Sequence, residues 1–244
     1  MRNIKLTIEY EGTNYHGWQI QANALSIQQI IQDVLSKITR AEVILIGAGR
    51  TDAGVHASGQ VANFHTDSKM PPNAFQRALN SILPKNIVIS KAEEVDDAFH
   101  ARYSAISRVY KYTILNRAYP SVFARNFAYF IPHQLNILNM TAMCETLVGT
   151  MDFSSFQRTG SSRENPICTM QEARCWREGD FVYMQFEADS FLRGMVRAIV
   201  GTLLKLNQNI DAIAPLQEIL ALRDRSAAGQ SAPAYGLCLM EVKY

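Results

Sequence analysis

Hydrophobic and polar positions alternate at the start of the chain. Ile4, Leu6, Ile8 and Tyr10 are separated by polar residues, which predicts a half-buried strand over 3–10. Behind Ser26, a good N-cap, Ile27, Ile30, Ile31, Val34, Leu35 and Ile38 fall on one face of a helix. Apolar runs predict strands at 42–46 and 60–66. Pro71-Pro72 opens a second helix with Phe75, Ala78, Leu79 and Ile82 inward, Pro84 ends it, and 87–95 makes a fourth strand. A connecting segment over 96–105 leads into a strand at 107–115, where Arg108, Tyr110, Tyr112 and Ile114 share a face. Residues 116–135 are loop-rich, and a helix follows through Ile137, Met140, Cys144, Leu147 and Val148. The stretch 157–166 is polar and reads as a mobile loop. Strands at 168–177 and 181–188 flank Glu178-Gly179 as a hairpin. A long helix over 191–206 carries Leu192, Met195, Val196, Ile199, Val200 and Leu203 as its core stripe. A short helix near 215–222 and a strand at 236–244 close the chain.

Each half therefore reads strand-helix-strand-strand-helix-strand, the split βαβ order of ferredoxin-like and RRM-like domains. The expected fold is α+β, with two RRM-like units, 1–103 and 104–244, the second carrying an extra helix. Paired edge to edge, they would form one extended antiparallel sheet with helices on one face and covered strand edges. A central cleft between the halves is where a ligand site is expected.

At 244 residues the chain can bury a sizeable core, and 48% hydrophobic with 19% charged residues is ordinary globular composition. A net charge of +2 does not announce a nucleic-acid binder, so any RNA surface must be a local patch. The cations are mainly Arg, which suits phosphate forks and stacking on bases. Cys144, Cys168, Cys175 and Cys238 show no Cys-x-x-Cys spacing, which argues against zinc and redox pairs. Met1-Arg2-Asn3 runs straight into a strand, and no apolar run is long enough for a membrane, so no membrane association and a cytoplasmic setting are expected.

The chemistry concentrates in Gly47-Ala48-Gly49-Arg50-Thr51-Asp52-Ala53-Gly54-Val55-His56-Ala57. Three glycines in eight residues imply a tight turn or a close approach. A dinucleotide fingerprint would need glycine where Asp52 sits, and no Lys-Ser/Thr follows for a P-loop. A structural turn with a local Asp52 bond is the plain alternative. Arg50 beside Asp52 favours an ionised carboxylate, and a held, ionised carboxylate can serve as a nucleophile.

The string Gly-Arg-Thr-Asp-Ala-Gly-Val-His-Ala, with Gly59-Gln60-Val61-Ala62-Asn63-Phe64 after it, resembles the catalytic motif of the tRNA pseudouridine synthase A family. Tyr10-Glu11-Gly12-x-x-Tyr15-x-Gly17-Trp18-Gln19 is similar to the family's N-terminal signature. Further similar segments are Arg108-Val109-Tyr110-Lys111-Tyr112, Gly149-Thr150-Met151-Asp152-Phe153, Met195-Val196-Arg197 with Gly201, and Ala232-Pro233-Ala234 with Gly236. The resemblance implies that Asp52 is the nucleophile, attacking either C1′ or uracil C6, and that Arg197, not Arg193, pairs with it. It implies that Tyr110 stacks on the target uracil. Arg50 either grips a phosphate near the flipped nucleotide or fills the flipped base's place. The substrate implied is uridine on the 3′ side of the tRNA anticodon stem-loop, flipped out of its stack and converted by a homodimer. The reaction is an isomerisation, so no cofactor is expected. For Trp18 and Tyr15 two readings stand, stacking on a base or packing over the core edge. Two rival functions are a non-catalytic RNA-binding module and a small-molecule enzyme using the same loop.

Overall fold

The computed structural model describes residues 1–160 and 164–244, so part of the expected loop at 157–166 lies outside the described residues. Strands and helices alternate in an α+β arrangement, and packing divides the chain into two units. One is Met1–Ile106 with Cys238–Tyr244, the other Ser107–Leu237. This grouping differs from 1–103 and 104–244 in the last strand, Leu237–Lys243. Its Cys238 and Leu239 pair in parallel with His56 and Ala57, and Ser58 Oγ donates to the Met240 carbonyl.

The first unit contains β1 (Arg2–Tyr10), α1 (Ile27–Thr39), β2 (Ile46–Gly47), β3 (His56–Thr66), α2 (Pro72–Ile82) and β4 (Ile87–Val95). β1 is central, antiparallel to both β3 and β4, with Ile4 opposite Phe64 and Glu94. The other edge of β3 takes β2 antiparallel and the closing strand in parallel. Alternation places Ile4, Leu6 and Ile8 in a core with Ile27 and Ile31 of α1 and Phe75 of α2. Ser26 caps α1 by accepting the Gln29 N–H.

Two details differ from the sequence reading. The strand over 42–46 shrinks to Ile46–Gly47, because polar side chains of α1 take the backbone groups that a sheet would use. Ser36 Oγ accepts the Val43 N–H, Gln32 Oε1 accepts the Leu45 N–H, and Gln28 Nε2 donates to the Leu45 carbonyl. At the end of α2, Ile82 faces solvent and Leu83 is buried instead.

The second unit contains β5 (Ser107–Asn116), β6 (Tyr129–Ile131), α3 (Ile137–Glu145), β7 (Gly149–Asp152), β8 (Ile167–Glu178), β9 (Phe181–Ala188), α4 (Met195–Leu206) and α5 (Ile213–Leu222). The antiparallel order is β7-β8-β9-β5, and β6 adds to β5 in parallel. Pairing is thus mixed in both units, not purely antiparallel. Helix α4 begins four residues later than its apolar stripe suggested. Gly194, at φ 71°, turns the chain into the helix, and the Arg193 carbonyl leaves the helical path to accept the Arg158 N–H at 2.9 Å. Among the described residues no helix is long and apolar enough to cross a membrane.

Candidate active site

The Asp52 turn joins β2 to β3, and the segment after β1 wraps it. Trp18 N–H donates to the Thr51 carbonyl at 3.2 Å, and Gly54 N–H donates to the Tyr15 carbonyl at 3.3 Å. Gly12 N–H donates to His56 Nδ1 at 3.0 Å. Beneath the turn the Thr51 and Tyr10 hydroxyls share a buried hydrogen bond of 2.8 Å. Gln60, fully buried on β3, donates from Nε2 to the Gly49 carbonyl. Val55 N–H closes the turn on the Asp52 carbonyl, which Gly54 permits at φ 79°.

The N-terminal signature thereby gains a physical meaning: it frames the turn. Trp18 is 1% exposed and Tyr15 is buried as well, so both pack against the protein. A Cβ on Gly47 would come within 2.3 Å of the Trp18 indole, so glycine there makes room for that ring. Gln19 reaches outward and accepts from Arg50 Nε at 3.1 Å. Arg50 is exposed, and Asp52 is half-buried. His56 is a buried strand residue whose Nδ1 accepts the Gly12 N–H.

The other two expected site residues belong to the second unit. Tyr110 lies on β5, 8% exposed, its ring edge-on to Phe191 with centroids 5.1 Å apart. Arg197 projects from the first turn of α4 and is half-buried, whereas Arg193 precedes the helix and is exposed. Its Nε donates to the Ala232 carbonyl at 2.8 Å, while Ala232 N–H donates to the Arg197 carbonyl at 2.9 Å. This fixes the plane of the guanidinium. The 228–236 segment is anchored further by the Gly229 N–H to Thr202 Oγ1 bond and the Tyr112 hydroxyl to Pro233 carbonyl bond. Burial pushes the Tyr112 phenol well above its ordinary range, so that hydroxyl stays a neutral donor.

Sequence reasoning missed Thr51, Tyr10 and Gln60 beneath the turn, and Ala232 behind Arg197. The only signal for each was its place inside a quoted motif. Among the described residues no group of three or more His, Cys, Asp or Glu side chains is arranged to hold a metal ion.

A family model described as tRNA pseudouridine synthase matches residues 6–104 and 143–244. Over 244 residues the chain is 46% identical to a tRNA pseudouridine synthase A of Thermoanaerobacter sp. (strain X514), covering 100% of both chains. It is 45% identical, again with 100% of both chains covered, to tRNA pseudouridine synthase A 2 of Clostridium perfringens (strain 13 / Type A). The same identity and coverage hold for a tRNA pseudouridine synthase A of Acetivibrio thermocellus. With the family motifs framing one aspartate turn and the likeness running end to end, the chain belongs to the tRNA pseudouridine synthase A family and is an isomerase.

Proposed function

We propose that this chain converts uridine to pseudouridine on the 3′ side of the tRNA anticodon stem-loop, with Asp52 as the nucleophile. The observation that carries the reading is the frame around the Asp52 turn. Four backbone or side-chain bonds, from Trp18, Gly54, Tyr10 and Gln60, hold the residues on either side of a half-buried carboxylate. Nucleophiles gain from such positioning, since orientation before reaction removes much of the entropic barrier.

The reaction breaks the C1′–N1 bond, turns the uracil and joins C5 to C1′. The C5 proton leaves and N1 gains one, so atoms balance without a redox partner or group donor. Asp52 adds to C1′ or to uracil C6. Arg197, its plane fixed by Ala232, pairs with Asp52 and orients its carboxylate. Tyr110 stacks on the uracil and assists removal of the C5 proton. Arg50 takes a phosphate beside the flipped nucleotide or fills the vacated place in the stack, offsetting an unstacking cost of a few kcal/mol.

The two units are read as RRM-like, and the working form as a cytoplasmic homodimer in which one tRNA meets both subunits. Such an assembly would gather a larger RNA surface than a chain of net charge +2 suggests. The test is Asp52→Asn, which keeps the shape and removes the anion. Tritium release from C5-labelled tRNA should fall to background while tRNA affinity stays within about threefold. Turnover by this variant would refute the nucleophile assignment, and mapped pseudouridine elsewhere in the tRNA would refute the site.

A further inference from the structure

The connecting segment after β4 is held more firmly than a connector requires. Asn3 and Asn63 are fully buried on neighbouring strands, and Asn63 Nδ2 donates to Asn3 Oδ1 at 2.9 Å. Asn63 Oδ1 accepts the Ala101 N–H, and Asn3 Nδ2 donates to the carbonyls of Asp96 and Phe99. Buried amides are expensive unless every donor and acceptor is used, and these two are used to fix one stretch of backbone. At the same place Tyr244 packs its ring on Phe99 and donates its hydroxyl to the Ala101 carbonyl.

The turn that follows is locked within itself. The N–H groups of Arg102 and Tyr103 both donate to His100 Nδ1 at 3.2 Å. His100 N–H donates to Ser104 Oγ, and Ser104 N–H donates to the His100 carbonyl. On this rigid base the chain sets Tyr103, 75% exposed. The His100 ring lies 4.4 Å from the Tyr103 ring, tilted by 32°, and the Arg102 guanidinium stands 5.5 Å from the Tyr103 centroid.

We propose that the turn over residues 100–104 is a second RNA contact, in which Tyr103 stacks on an unpaired tRNA nucleotide and Arg102 meets its phosphate. A rigid aromatic with a cation beside it is the chemistry that binds single-stranded nucleotides without reading their sequence. The proposal rests on tRNA being the substrate. Asn63 lies seven positions along β3 from His56, beside the Asp52 turn, a span on the order of 20 Å. The nucleotide held here is therefore not the target uridine, and the contact acts on binding.

The test measures filter binding of a tRNA transcript to the full chain, alongside steady-state turnover. Tyr103→Ala should weaken binding about tenfold or more, and Tyr103→Trp should keep it within about twofold, because stacking needs the ring and not the hydroxyl. Arg102→Ala should reduce the salt slope of binding by about one. The Tyr103→Ala loss should fall on KM and not on kcat. Unchanged affinity in Tyr103→Ala would overturn the proposal. So would a loss confined to kcat, or a change in sedimentation with unchanged tRNA affinity, which would mark a protein contact. Pseudouridine mapped outside the anticodon arm, with Tyr103→Ala still weakening tRNA, would sink the anticodon reading and leave this one standing. The expected modification site with unaltered binding would do the reverse.

Discussion

Replacing Gly17 by Ala tests whether the segment after β1 holds the Asp52 turn in its working position. Gly17 has φ +90°, and an L side chain in the left-handed region is strained by about 1–2 kcal/mol. A Cβ there would lie 2.4 Å from the Thr51 carbonyl oxygen and 3.1 Å from the Asp52 carbonyl carbon. Carbon and oxygen sit at about 3.3 Å or more in ordinary close contacts, so the segment and the turn must separate by about 0.9 Å. Both partners are backbone, and no side chain can swing aside to absorb the shift. The Trp18 to Thr51 hydrogen bond, already 3.2 Å long, would weaken with it. That bond is worth about 1 kcal/mol, bringing the total to about 2–3 kcal/mol. For a chain of this size the melting temperature should fall by about 5–10 °C. The effect on rate should be larger, since a misplacement near 1 Å costs about 100-fold. Single-turnover tritium release with enzyme in excess reads the rate, and filter binding should find tRNA affinity within about threefold of wild type. Gly49→Ala is the control in the same turn: its Cβ would meet nothing within 4 Å. That variant should turn over within about twofold of wild type, because the added methyl meets no neighbour and the Gly49 carbonyl keeps its bond from Gln60. Wild-type rate and melting in Gly17→Ala would show that the frame does not position Asp52.

Three further outcomes follow from the second unit. Arg197→Lys keeps the charge but cannot make the 2.8 Å bond from a guanidinium Nε to the Ala232 carbonyl. A hydrogen bond of a charged group is worth about 1.5–3 kcal/mol, so kcat should fall about 10- to 100-fold with tRNA affinity retained; an unchanged kcat would remove Arg197 from the mechanism. Burial pushes the Cys175 thiol from 9.0 up to about 12 and the Cys144 thiol higher still. Keeping both neutral stabilises the fold fully below about pH 9 and is lost as pH rises through the folded values, so urea midpoints should drop on that alkaline side. Native protein should also resist iodoacetamide at these two positions, and labelling as fast as in urea would show them to be accessible.

The parts of this fold that were readable are those governed by a local period. The stripe of Ile27, Ile31, Val34 and Leu35 became the buried face of α1, and the alternation of Ile4, Leu6 and Ile8 became β1. Unreadable parts depend on where polar groups find partners across the chain. Gln28, Gln32 and Ser36 look like a solvated helix face, yet they take the backbone of 43–45 and dissolve an expected strand. Gly194 sits inside an apolar stripe, and only its left-handed backbone delays α4.

The same division runs through the site. The Asp52 turn stood out in sequence because its neighbours form a specific string. The frame around it did not. Trp18 beside Gly17 reads as an aromatic on a flexible loop, the usual form of a base-stacking residue. Its burial follows from two close backbone approaches, at Gly17 and at Gly47, that leave no mark in sequence except the missing side chain. A glycine cannot say which partner it admits. Of the three glycines in the turn, Gly47 admits the Trp18 ring, Gly54 supplies the positive φ, and Gly49 meets nothing at all. An exposed aromatic is better sought where buried polar groups stiffen the backbone beneath it. By that criterion Trp18 fails and Tyr103 qualifies, although sequence alone would rank them the other way.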